Sequence, residues 1–396
     1  MLVQFTLENF LSFKEETVFD MRAINSYKEH PDHIIDRNRK ERLLRVASVY
    51  GANASGKTNL YYAMLTFVRI IDQSMNSFEN KESAISHYHA PFAFDKQDDD
   101  TMFEAIIERN GYQYIYGFQY NDKAVTSEWA YRRSLKSNRQ SVLLERDRDE
   151  IVFGATARRD CNKYRNQIPN ETLVLTFLNK LKQDNPFHEL QHAIDSIIVT
   201  PTDVMDKRDF LDALLPHIID SNKERFVDYL SALDTGIKDI RYVREGKDTF
   251  FFTTHYGEDG EKYELNLFSE SAGTIRCIAL YINISMVMMT GSTLVIDELN
   301  LRLHPLLLKY IINFFYNTTS EAQLIYTTHD VTLLKREYFR RDQIWLVEKD
   351  KYGHSSLSAI SDYKRRSDAS FDKEYLGGVY GGIPEFGTYS FDRSPA

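Results

Sequence analysis

Apolar and polar positions alternate from the first residues of the chain: Leu2, Gln4, Phe5, Leu7 and Phe10 are spaced as in a half-buried strand. A second β-prone run, 43–50, leads straight into Gly51. Beyond it Leu60, Ala63, Met64, Phe67 and Ile70 recur at three- and four-residue spacing, which predicts an amphipathic helix over 59–75. From 102 to 133 the period returns to two, interrupted by Asn110-Gly111, a dipeptide suited to a type I′ hairpin turn, so an antiparallel meander is expected. A further hairpin is expected over 141–153. The stretch 171–233 reads as several helices broken by Asn185-Pro186, Pro201 and Pro216.

Strand patterns resume at 249–254 and 262–268, then a helix at 274–289 and a short apolar strand at 294–296. A helix following Pro305, a strand at 323–326 and a closing hairpin of 343–347 with 357–360 complete the pattern. The order is that of an α/β protein with three stretches: an N-terminal lobe 1–170 containing the meander, a helical insertion 171–240, and a C-terminal lobe 241–396. No sustained heptads support coiled-coil arms. The tail, with YLGGVYGGIPEFG at 375–387, is rich in glycine and aromatic residues and suggests only irregular packing.

The loop between the second strand and the first helix has the sequence GANASGKT, residues 51–58, and fits the pattern G-x-x-x-x-G-K-[ST]. Glycines there let backbone N–H groups wrap phosphates, so Gly51, Asn53, Ala54, Ser55, Gly56, Lys57, Thr58 and Asn59 form the candidate ATP-binding loop. Lys57 is placed to reach the β- and γ-phosphate oxygens and Thr58 to bind Mg2+. Random chains of this length match the pattern on the order of 1% of the time.

A magnesium–ATP site also needs a carboxylate for the metal and a group that polarises water. TLVIDE at 293–298 supplies both at the end of an apolar strand: Asp297 to hold Mg2+ through water and Glu298 as general base. LIYTTHD at 324–330 puts His329 just after the next apolar strand, where a neutral imidazole could contact a γ-phosphate. SESAGTIR at 269–276 opens a predicted helix, and Ser269 or Ser271, together with Gly273, suits a γ-phosphate presented by another subunit.

The succession GANASGKT, SESAGT, VIDEL with LHP at 303–305, and TTHD resembles the motif order of ABC-type ATPases that include the RecF, SMC and OLD-like groups. With FTLENFLSF at the start, RRDQIWLVEKDKYG at 340–353 and SDASFDKEYLGGVYG at 367–381, the chain is similar over nearly its full length to ABC-like AAA ATPases of bacterial abortive-infection and phage-defence loci, of the AbiL type. That resemblance implies an ABC/SMC-like P-loop head with an antiparallel β subdomain and an inserted helical subdomain. It further implies a homodimer, or a higher even-numbered homo-oligomer, closing on ATP and Mg2+ and controlling an effector, a nuclease or toxin, encoded nearby. Lys57 and Thr58 match the Walker A pair, Asp297 and Glu298 the Walker B pair, His329 the switch histidine, and Ser271 and Gly273 the signature. The signature is not LSGGQ, and Asn300 and Arg302 stand where an aspartate-bearing D-loop is usual. Gln119, in the meander, is a candidate for the Q-loop, which no motif locates.

Composition narrows the alternatives. With 396 residues and 42% hydrophobic content the chain is globular, and a net charge of −9 disfavours coating nucleic acid by bulk electrostatics. Nucleic acid stays open as a partner through the arginine pairs 132–133, 158–159, 340–341 and 365–366, and a RecF-like DNA-repair ATPase is the alternative function. Cys161 and Cys277 have no metal-ligand spacing and read as buried thiols. No run of eighteen apolar residues and no basic-then-apolar leader occurs, so the expected compartment is the cytoplasm, with no membrane partner.

Overall fold

The structure is a computed structural model, described here for residues 1–36, 41–76, 82–95, 99–181, 185–201, 205–364 and 370–384. The arginine pair 365–366 and the tail residues 385–387 lie outside the described residues. A six-stranded sheet runs through the middle in the order Ile197–Thr200, Thr293–Ile296, Gln323–Thr327, Val46–Tyr50, Ile344–Lys349 and Ser355–Ala359. The first five strands are parallel and the last closes an antiparallel hairpin with Ile344–Lys349.

Both faces of this sheet are covered, and the side chains divide by the period-two rule. Ala47, Val49, Val295, Ile325, Trp345 and Val347 point to one core, shared with the helix Lys57–Gln73 and the antiparallel sheet. Val46, Tyr50, Leu294, Ile296, Leu324, Tyr326, Ile344 and Leu346 point to the other, shared with the helices Arg208–Ala232, Ala272–Thr290 and Pro305–Tyr316. Ala272–Thr290 is long and apolar enough to cross a bilayer. It nonetheless packs as an interior helix against Arg208–Ala232, burying Cys277, Ile278, Leu280 and Val287.

Beside this layer stands a seven-stranded antiparallel sheet, ordered Glu150–Phe153, Gln140–Asp147, Val125–Ser134, Tyr112–Tyr120, Thr101–Arg109, Leu2–Glu8 and Thr17–Asp20. The expected meander is therefore present, and its Asn110-Gly111 turn has both residues at positive φ, 50° and 80°. Gln323, fully buried, joins the two sheets: its amide donates to the Leu2 and Leu44 carbonyls while its oxygen accepts from the Leu2 N–H.

Several expectations need correction. The segment 171–240 does not form a helical body of its own. Ile197–Thr200 is an edge strand of the central sheet, Val174–Asn179 and Phe187–Ile194 join the core of the P-loop helix, and Arg208–Ala232 joins the opposite one. Pro216 lies inside Arg208–Ala232, and the break falls instead at exposed Asn222, φ −161° and ψ 70°. Burial of Leu211, Leu215 and Ile219 outweighs the one backbone hydrogen bond that Pro216 removes. The run 43–50 is two strands, Leu43–Leu44 pairing with Ile34–Ile35 and Val46–Tyr50 entering the parallel sheet. Asp239–Glu245, unanticipated, edges a three-stranded sheet with Asp248–Tyr256 and Lys262–Asn266. The tail is more regular than expected: Phe371, Tyr375 and Tyr380 are buried, and the Gly382 N–H donates to Glu348 Oε1 at 2.5 Å.

Candidate functional site

Three loops leave the carboxyl ends of adjacent parallel strands, the edge at which α/β sheets bind ligands. They are 51–56 after Val46–Tyr50, 297–304 after Thr293–Ile296, and 328–330 after Gln323–Thr327.

In the first loop Lys57 opens its helix and turns back so that Nζ donates to the Gly51 and Ala52 carbonyls, both at 3.0 Å. It is buried and forms no ion pair among the described residues; burial lowers its pKa, with Glu298 and Asp297 acting the other way. Ser55 Oγ is buried without a hydrogen-bond partner in the same loop. An unpaired buried cation and an orphaned hydroxyl beside the N-terminus of a 17-residue helix fit a bound polyphosphate. Gly56 has φ 116°, and a Cβ there would come 2.3 Å from Ser355 Oγ and 2.9 Å from Ser12 Oγ. Those two hydroxyls brace the loop: Ser355 Oγ lies 2.6 Å from the Ser55 carbonyl oxygen, and Asn59 Nδ2 donates to Ser12 Oγ at 2.7 Å. Asn53 and Ala54 are exposed at the tip, Ala54 at φ 62°.

Thr58 Oγ1 lies 3.1 Å from Asp297 Oδ2. These two hard oxygens form a donor set that would hold Mg2+, Thr58 directly and Asp297 through water. Thr327 fixes the carboxylates from the strand between: its hydroxyl donates to Asp297 Oδ1 at 2.5 Å and accepts the Glu298 N–H at 2.8 Å. Glu298 takes a left-handed backbone, φ 49°, uncommon for a residue with a side chain and typical of functional positions. Its Oε1 is 2.9 Å from His329 Nε2. Burial raises the Glu298 pKa, and His329 partly offsets that rise.

The structure therefore brings Lys57, Thr58, Asp297, Glu298 and His329 together. Ser271 and Gly273 sit apart from them at the start of Ala272–Thr290, where Ser271 Oγ accepts the Thr274 N–H at 3.1 Å as an ordinary N-cap. Their link to the site is the loop after Glu298: a Cβ at Gly273 would lie 3.0 Å from the Arg302 carbonyl. Arg302 itself pairs with Asp206 at 3.2 Å, and the same aspartate meets the buried Arg276 of the signature helix at 3.4 Å. Asn300 Oδ1 accepts from Thr328 Oγ1 at 2.7 Å, fastening that loop to the one bearing His329. Gln119 lies in the antiparallel sheet, paired opposite Met102 and Ser127, and its side chain makes no hydrogen bond among the described residues. Thr327, Ser12, Ser355 and Asp206 were not anticipated. Of these only Thr327 had a local signal, standing in the same TTHD segment as His329.

The profile of the family described as "AAA domain, putative AbiEii toxin, Type IV TA system" matches residues 46–335, well over half of the chain. The chain belongs to this family. The segment matched in this AAA-domain protein begins with the strand before the P-loop and extends past His329, so it contains every residue of the convergent cluster. Ser12 and Ser355, which brace the loop, lie outside it. A search of curated protein sequences found no match. Among solved structures, the Smc head bound to the C-winged helix domain of ScpA is similar at TM-score 0.46 and 13% identity, covering 95% of this chain and 99% of that one. The SMC head domain from Thermotoga maritima is similar at TM-score 0.44 and 14% identity, covering 90% and 98%. The AAA-domain chain carries its P-loop on a parallel sheet, with an antiparallel sheet alongside.

Proposed function

We propose that this AAA-family protein hydrolyses ATP and uses the cycle as the switch of a bacterial anti-phage, abortive-infection system, controlling a separate effector. The observation that carries the ATPase reading is the convergence of Lys57, the Thr58–Asp297 oxygen pair and the Glu298–His329 pair at one edge of the parallel sheet. In this reading the N–H groups of 53–58 and Lys57 hold the β- and γ-phosphates, while Thr58 and Asp297 hold Mg2+. The metal would draw charge from the phosphate oxygens. Glu298 accepts a proton from the attacking water, and ATP and water become ADP and phosphate. His329 orients the Glu298 carboxylate and faces the γ-phosphate. Ser271 and Gly273 serve the nucleotide of a second copy, so two sites close between two chains, in a homodimer or an even-numbered assembly.

The defence role is supported by the family's own description, which names a type IV toxin–antitoxin system. Two experiments test the proposal. Phosphate release by wild type and Glu298→Gln tests the chemistry: equal rates remove Glu298 as the base. Purification of Glu298→Gln from its native host, with neighbouring genes intact, tests the switch. A stoichiometric protein encoded next door supports it, and nucleic acid recovered without such a partner moves the reading to a RecF-like repair ATPase.

A further inference from the structure

At the end of the antiparallel sheet remote from the strand that Gln323 holds, three arginines from three different segments face one open concavity of about 720 Å3. Arg132 comes from the strand Val125–Ser134, Arg139 from the turn before Gln140–Asp147, and Arg158 from the helix Ala155–Cys161. None of the three guanidinium groups forms an ion pair among the described residues. Arg132 stacks on Tyr112 at 4.8 Å, and among the described residues Arg158 donates only to the Phe153 carbonyl, at 3.3 Å, while the Arg139 side chain makes no hydrogen bond. Neighbouring Arg133, by contrast, is neutralised by Glu41 at 3.1 Å. The wall's one carboxylate, Glu145, already accepts the Tyr131 hydroxyl at 3.0 Å. Three uncompensated cations on a chain of net charge −9 imply a local anionic ligand.

The floor narrows the class of anion. Tyr112, Val142 and Val152 are each more than a third exposed, so the cations surround an aromatic and apolar surface rather than a purely polar one. Guanidinium forks match phosphate oxygens in pairs, and a tyrosine face accepts any base; together these are the two halves of a single-strand binding surface. We propose that this concavity binds single-stranded nucleic acid, with backbone phosphates at Arg132, Arg139 and Arg158 and a base stacked on Tyr112. The site is separate from the P-loop and does not depend on the ATPase reading.

Fluorescence anisotropy of fluorescein-labelled oligo-dT and oligo-rU, each about twenty nucleotides long, tests this on the full chain over a series of salt concentrations. Wild type binds, and the triple variant Arg132→Ala/Arg139→Ala/Arg158→Ala weakens binding about a hundredfold at low salt. The slope of log affinity against log salt shrinks by about two, as expected for three lost phosphate contacts at about 0.7 each. Tyr112→Ala weakens binding about tenfold and leaves the slope unchanged. Failure of wild type to bind either strand, triple-variant affinity equal to wild type, or displacement of the strand by an equal charge of polyglutamate overturns the proposal. Unchanged melting and basal ATP hydrolysis establish that the triple variant is folded. If it melts early, Arg139→Glu decides alone, because that exposed side chain makes no hydrogen bond or ion pair among the described residues.

Discussion

His329 Nε2 stands 2.9 Å from Glu298 Oε1, so the imidazole after one strand is bonded to the carboxylate after its neighbour. Burial raises the pKa of Glu298, and the nearby imidazole and its hydrogen bond pull it back. A general base works as its carboxylate, which is lost as pH falls through the raised pKa. The acid limb of ATP hydrolysis is therefore expected at higher pH than for an ordinary glutamate. His329→Ala removes a lowering influence, so its acid limb moves to higher pH still. Turnover measured against pH for both proteins checks this; limbs that coincide would show that the pair does not set the base.

Glu298→Gln and Lys57→Ala separate chemistry from binding. The glutamine variant keeps the phosphate contacts and is expected to lose about a hundredfold or more in phosphate release while accumulating an ATP-bound dimer. Lys57→Ala loses the buried cation and accumulates none. Sedimentation of both, with and without ATP, reads the difference, and identical masses throughout refute a dimer driven by ATP.

Thr327→Val removes one hydroxyl that serves both carboxylates, through Asp297 Oδ1 and the Glu298 N–H. The shape is nearly kept, so melting is expected to change little. Hydrolysis falls about ten- to a hundredfold and the Mg2+ concentration for half-maximal activity rises, because the group that orients the metal carboxylate is gone. A magnesium titration distinguishes this from a simple loss of turnover.

These residues also show where sequence reading stops. GANASGKT, the Asp297-Glu298 pair and His329 were legible because each lies directly after an apolar strand, and the strand period aims loop residues at one edge. Ile197–Thr200 was not: it lies between the helices Phe187–Ile194 and Arg208–Ala232, and no motif follows it to mark the end of a strand. Ser12 and Ser355, 343 residues apart, meet only because the closing hairpin is laid beside the P-loop by tertiary packing. Asp206 likewise gains its meaning from Arg276 and Arg302, neither of which is near it in sequence.

Glu128 tests the scaffold independently of the site. It is fully buried, accepting the Val174 and Leu175 N–H groups at 2.7 and 3.0 Å and the Tyr116 hydroxyl at 2.9 Å, with Arg146 at 3.9 Å. Glu128→Ala strands the first N–H groups of Val174–Asn179 and leaves Arg146 without its buried counter-charge. A loss of about 3–5 kcal/mol is expected in urea denaturation. A loss under about 1 kcal/mol would mean that the Arg146 bonds to the Thr172 and Asn170 carbonyls suffice to hold it.

Ser271 carries two explanations that mutation can part. As an N-cap its hydroxyl is worth about 1 kcal/mol to the helix Ala272–Thr290. As a donor to the second copy's nucleotide it is worth about a hundredfold in hydrolysis. Ser271→Ala loses both, whereas Ser271→Asn restores an acceptor for the Thr274 N–H without restoring the hydroxyl. Melting that recovers in the asparagine variant while hydrolysis stays low assigns Ser271 to the nucleotide. Recovery of both returns it to capping, and the trans contact must then be sought in the backbone at Gly273, where the Arg302 carbonyl leaves little room for a side chain.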